Sequence, residues 1–139
     1  MDPLNRLPHK PPMRLIERVT ELVPGQFAVG GRDTVVTDFY FDGHFPGQPI
    51  VPAVILVEML AQMGGLAAAA PRDGDPDRSL QLRVAALGPF KFPAAAGPGT
   101  YLEARARVAA RLGGLYKIEG EVTADGRVVA TGSVTLAGS

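Results

Sequence analysis

The sequence predicts an α+β protein in which one antiparallel sheet wraps around a single long buried helix, and three observations carry that prediction. Residues Ala53 to Ala70 read AVILVEMLAQMGGLAAAA, good helix formers that are apolar on every face, entered after Pro52 and closed by Pro71. From Leu102 onward apolar and polar residues alternate with a period of two, the pattern of half-buried strands. Two pairs of turn residues, Gly113-Gly114 and Asp125-Gly126, divide that stretch into three strands of a meander. A helix with no polar face needs cover on all sides, and the sheet that flanks it in sequence can supply it.

The elements follow in order. The first residues, DPLNRLPHKPP, are too proline-rich for a helix and predict an extended arm lying against the body. Between Met13 and Leu22, Leu15, Ile16, Val19 and Leu22 fit a strand or a short helix, with a strand favoured, and Pro24-Gly25 makes a turn. Gln26 to Thr37 carries Phe27, Val29, Val35 and Val36 around Gly30-Gly31, which suits a strand with a bulge. Asp38 to Pro52 reads as loop. The apolar helix reaches 18 residues, the length of a membrane span, but Glu58 lies within it, Gln62 follows a turn later, and Gly64-Gly65 weakens its second half. A core helix is therefore expected, and no membrane span. A strand from Leu80 to Phe92 follows. In the meander Leu102, Ala104, Ala106, Val108, Ala110 and Leu112 face inward, opposite Glu103, Arg105, Arg107 and Arg111. Tyr116, Ile118, Val122 and Ala124 face inward on the second strand, and Val128, Ala130, Val134 and Leu136 on the third.

Composition limits the function classes. At 139 residues the chain suits one domain spanning 1–139. Lys plus Arg equals Asp plus Glu at 14 each, so there is no basic field to hold a nucleic acid. There are no cysteines and only two histidines, His9 and His44, which removes disulfides, thiol catalysis and thiolate or multi-histidine metal sites. The amino terminus carries four prolines before Met13 and no apolar signal region, so a cytoplasmic location is expected. No G-x-S-x-G, Walker A or G-x-G-x-x-G pattern occurs, and neither a serine hydrolase nor a nucleotide cofactor is indicated.

Two anomalies remain. Glu58 is an acid in an otherwise apolar helix, where an unpaired carboxylate is costly to bury, and Gln62 lies one turn away on the same face. The loop DGHFPGQPIVP, Asp42 to Pro52, presents His44 on a path stiffened by three prolines and tightened by two glycines. At the helix start that follows, the N–H groups of Ala53 and Val54 can polarise a carbonyl. An imidazole base, a carboxylic acid and a helix amide dipole suit proton abstraction beside a carbonyl with acid-assisted loss of a leaving group. The outward row Arg105, Arg107 and Arg111 reads as a solvated sheet face, with docking of an acidic carrier protein as the alternative.

The string GHFPGQPIVPAVILVEMLAQ, Gly43 to Gln62, resembles the motif of the 3-hydroxyacyl-acyl carrier protein dehydratases of fatty-acid synthesis, which have the hot-dog fold. In that family an HFPG loop precedes the helix and a Glu follows the His by fourteen positions, as Glu58 follows His44 here. Leu7 to His9, Pro24-Gly25, Lys91-Phe92 and Pro98-Gly99 extend the resemblance over nearly the whole chain. The resemblance implies that His44 removes the α-proton of an acyl thioester and that Glu58 protonates the departing 3-hydroxyl. It implies further that the Ala53 amide polarises the thioester carbonyl and that Gln62 holds Glu58; Ala53, Val54, Gln62 and Gly47 are the expected substrate-binding residues. No metal or cofactor is implied. The expected partner is an acyl carrier protein carrying the thioester. The expected assembly is a homodimer in which the His of one subunit and the Glu of the other share each site, often stacked as a trimer of dimers. Glu at position 58 resembles the dehydratase-only branch, the isomerising branch having Asp. The sequence departs from the family at Ala53, usually Gly, at Thr100, which follows Pro98-Gly99 in place of Asp, and in the charged stretch Arg72 to Arg78. These mark a divergent member, suited to a specialised lipid or polyketide pathway. The rival readings are a non-catalytic acyl-binding hot-dog protein and a hot-dog thioesterase.

Overall fold

The computed structural model describes residues 2–45, 47–69 and 81–138. Pro46 of the histidine loop, Ala70 and Pro71 at the end of the expected helix, the charged stretch Arg72 to Arg78 and Leu80 lie outside the described residues. Among the described residues six strands form one sheet: β1 (Arg18–Val23), β2 (Phe27–Asp33), β3 (Leu82–Leu87), β4 (Tyr101–Leu112), β5 (Leu115–Ala124) and β6 (Arg127–Gly138), with α1 (Ala53–Ala69) between β2 and β3 in the chain. Their order in the sheet is β1-β2-β4-β5-β6-β3, and every neighbouring pair is antiparallel.

The helix lies against the face of the sheet formed by β2, β4, β5 and β6. Met59, Leu60 and Met63 on its side meet a layer in which Leu102, Ala104, Ile118 and Val122 are all fully buried. Gly64 marks the closest approach, since a Cβ there would stand 2.5 Å from Ile118 Cγ2. The Gly25 amide donates to the Ala67 carbonyl at 2.8 Å and satisfies one of the acceptors that the last helical turn leaves open. The apolar composition does not bury the helix on every face, however. Ala53 and Val54 are exposed, Val54 by 72%, and Val57 and Glu58 are half-buried, because the sheet covers the helix from one side.

The arm is extended only in part. Pro3–Arg6 forms a 3-10 turn capped by Asp2, after which Leu7, Leu15 and Ile16 plug into the core. The strand expected from Met13 begins later, at Arg18. Its bulge lies in β1, where the register slips between Val19 and Glu21, rather than at Gly30-Gly31. The glycine pair instead permits close packing, because a Cβ on Gly31 would collide with the Leu102 carbonyl and one on Gly30 with the Arg18 carbonyl. The strand expected from Leu80 to Phe92 is shorter as well. β3 ends at Leu87 and the chain rejoins the sheet through a bridge between Lys91 and Thr131.

Both meander turns stand where the residue pairs put them. Leu112 pairs with Leu115 across Gly113-Gly114, and Ala124 with Arg127 across Asp125-Gly126. Two bulges break the alternation. In β4, Val108 pairs with Ile118 but Ala110 with Lys117, so the extra residue Ala109 reverses the facing of everything beyond it. Ala110 and Leu112 therefore leave the core face, with Leu112 81% exposed, and Arg111 turns to the helix side, over the Tyr116 ring and towards the Gly25 carbonyl. In β6 the extra residue is Val129, which is fully buried beside Ala130, while Val128 is only half-buried. The outward arginine row thus reduces to Arg105 and Arg107, each paired with a glutamate, Glu103 and Glu119 respectively.

Candidate active site

The loop that leads into α1 fixes His44 by its own backbone. Gly43 and Gly47 take φ of +73° and +81°, the left-handed region that only glycine enters freely, and turn the chain on either side of the histidine. The Ile50 amide donates to the His44 carbonyl at 2.9 Å, and the Val51 amide donates to the Ala96 carbonyl at 2.8 Å. The Nδ1 of His44 stands 3.2 Å from the Ile50 carbonyl oxygen. A carbonyl only accepts, so Nδ1 is the donor, and Nε2 is the nitrogen left to exchange a proton with a substrate. The ring stacks on Phe45 with centroids 4.3 Å apart and opens into a cleft of about 380 Å³ whose walls include Val51, Ala53, Leu56, Phe92 and Ala94. The imidazole thus borders an apolar cleft.

That cleft ends at the start of α1. The Ile55 and Leu56 amides both donate to the Pro52 carbonyl, and the Ala53 and Val54 amides, which precede them, have no carbonyl of the helix to donate to. Ala53 borders the cleft, whereas Val54 and Gly47 are not among its lining residues. Gly47 serves here as the turn residue of the loop.

The carboxylate belongs to a second cluster. Gln62, 1% exposed, donates from Nε2 to Glu58 Oε2 at 2.8 Å and to the Met13 carbonyl at 2.7 Å, while its Oε1 accepts from the Leu15 amide at 3.0 Å. All its hydrogen-bonding capacity except one lone pair is used, so the amide cannot rotate away from the acid. The expectation that Gln62 holds Glu58 agrees with this geometry. A residue that sequence reasoning left without a role also stands here: His9 Nε2 is 3.5 Å from Glu58 Oε2. The sole sequence signal was its place in the LPH string of the arm, and the 49 positions between the two residues hid the contact. Glu58 is not among the residues lining the His44 cleft, so one chain presents the two halves of the site separately.

An antiparallel sheet around one helix, with a histidine loop at the helix start and a carboxylate two turns in, defines a hot-dog domain equipped for acid–base chemistry. The model of the FabA-like domain family matches residues 7–133, and the chain belongs to that family. It is 35% identical over 130 residues, 94% of this chain and 87% of the relative, to the 3-hydroxyacyl-[acyl-carrier-protein] dehydratase FabZ of Syntrophotalea carbinolica. It is 36% identical over 129 residues, 93% and 84% of the two chains, to the FabZ of Myxococcus xanthus. Among solved structures, the dehydratase heterocomplex ApeI:P of Xenorhabdus doucetiae superposes with a TM-score of 0.81 at 19% identity, over 100% of this chain and 91% of that one. A hypothetical thioesterase from Streptococcus pneumoniae with coenzyme A superposes at 0.63 and 12% identity, over 88% and 84%. At such identities the superpositions speak for the fold, which carries more than one chemistry.

Proposed function

We propose that the chain, acting over residues 1–139 as one domain, dehydrates 3-hydroxyacyl thioesters carried on acyl carrier protein to trans-2-enoyl thioesters in cytoplasmic fatty-acid or related lipid synthesis. The observation that carries this reading is the contact of His44 Nδ1 with the Ile50 carbonyl, which leaves Nε2 available as a base at an apolar cleft. Nε2 removes a proton from C2, the C2–C3 double bond forms as the C3–O bond breaks, and Glu58 gives its proton to the departing hydroxyl, which leaves as water. The amides at Ala53 and Val54 polarise the thioester carbonyl while charge develops on its oxygen. Neither metal nor cofactor is needed for this exchange.

The protein acts as a homodimer, with dimers able to stack in threes, because His44 and Glu58 lie in separate clusters of one chain and a partner copy brings them together. Glu58 and Val54, one helical turn apart on the uncovered face of α1, form the surface that a second copy covers.

The test is hydration of a trans-2-enoyl thioester, on carrier protein and on a small thiol mimic, followed by loss of enoyl absorbance and by release of free thiol. The wild type is expected to hydrate without releasing thiol, and His44→Ala and Glu58→Gln to lose at least about 100-fold while staying folded. Thiol release would make the protein a thioesterase, and inertness towards every carrier and chain length would make it a non-catalytic acyl-binding protein.

A further inference from the structure

Glu58 Oε2 has two nitrogen neighbours, Gln62 Nε2 at 2.8 Å and His9 Nε2 at 3.5 Å. Gln62 comes from the same helix; His9 comes from the arm, held between the buried Leu7 and the buried Leu15 and Ile16. The His9 Nδ1 is buried and has no hydrogen-bond partner among the described residues. A proton on Nδ1 would be a buried donor with nothing to receive it, which is costly, whereas a bare lone pair there costs less. The neutral ring therefore keeps its proton on Nε2, the nitrogen 3.5 Å from Glu58 Oε2. That distance is long for a hydrogen bond, as contacts of catalytic groups often are before substrate arrives.

From this geometry we infer that His9 is a positioning residue: its Nε2–H and the Gln62 amide both engage Glu58 Oε2 and turn Oε1, which neither of them holds, towards the substrate. The same arm satisfies Gln62 through Leu15 and Met13, so residues 9–15 form one brace behind the acid. This inference rests on the dehydratase reading for its kinetic consequence but not for its geometry.

Three variants test it. His9→Leu removes the donor and is expected to lower kcat about 10- to 100-fold, the scale of one hydrogen bond to a charged group, with KM within about twofold. His9→Gln places an amide nitrogen where Nε2 stood and is expected to recover most of that loss. In a Glu58→Gln background His9→Leu should change kcat by less than about twofold, since the group being positioned is gone. An unchanged kcat in His9→Leu, or an equal drop in both backgrounds, overturns the inference. A measurement independent of turnover accompanies these. With two histidines in the chain, imidazole nitrogen NMR at neutral pH shows two rings. His9 is expected as the Nε2–H tautomer, with signals that shift in Glu58→Gln, and His44 as Nδ1–H. A protein inert on all enoyl thioesters that still shows this His9 coupling sinks the dehydratase reading and keeps the pairing; a His9 ring in the Nδ1–H form, or one blind to Glu58→Gln, sinks the pairing.

Discussion

Gln62 ties the arm to the helix through one buried amide. Its replacement by Met preserves volume but strips the Leu15 amide and the Met13 carbonyl of their partner inside the protein. Gln62→Met is therefore expected to destabilise the fold by about 2–4 kcal/mol, read as a lower urea midpoint, and to reduce turnover beyond the stability loss. A midpoint equal to wild type would mean that water reaches these groups. Ala53 offers the opposite case. It is exposed yet borders the His44 cleft, so a larger side chain there fills the cleft and spares the core. Ala53→Leu is expected to raise KM or lower kcat by at least about tenfold with an unchanged Tm; undiminished hydration would place the acyl group elsewhere.

At the scale of elements, the contact of α1 with β5 is set by Gly64 against Ile118. Gly64→Ala is expected to cost about 1–3 kcal/mol by overpacking, although alanine favours helix, and pairing it with Ile118→Ala should cost less than the two single losses added together. Simple additivity in denaturant unfolding would show that the helix shifts freely on the sheet. The segment before the His44 loop is held by a polar knot in which Tyr40 donates to Asp38 at 2.7 Å and Asp38 pairs with Arg32 at 3.1 Å. Burial, then the bond to Asp38, pushes the Tyr40 phenol well above its ordinary value of 10.0. A raised folded-state value means that the contribution is complete below the unfolded-state value and is lost progressively as pH rises from there through the folded-state value. Stability is therefore expected to fall above about pH 10 as unfolded Tyr40 ionises, and Tyr40→Phe to flatten that alkaline slope in pH-dependent melting. An identical slope in both proteins would place the loss in other groups.

The sequence is most readable where local chemistry decides, as at the Pro52 start of the helix, the Gly113-Gly114 and Asp125-Gly126 hairpins and the rigid loop of His44. Bulges at Ala109 and Val129 escaped because an extra residue in one strand is defined by its partner strand, and each reversed a facing that strict alternation assigned. His9 escaped for the same reason at longer range, since the arm reaches Glu58 only through the tertiary positions of Leu7 and Leu15.

For the whole molecule, one chain leaves features that a lone monomer does not explain. Val54 and Phe45 stand 72% and 54% exposed beside the two halves of the site, and β3 runs along the sheet edge with Leu87 59% exposed. The proposed homodimer would cover such surfaces with a second copy. If the partner copy completes each site, His44 of one subunit works with Glu58 of the other, and the consequence is arithmetic. His44→Ala and Glu58→Gln homodimers are both dead, but a mixed dimer has one site with both residues replaced and one with both intact. Random exchange makes about half the dimers mixed, each with one live site of two, so unfolding and refolding the inactive variants together should restore about a quarter of wild-type activity. A site built within one chain restores nothing, because every chain in the mixture lacks one of the two groups.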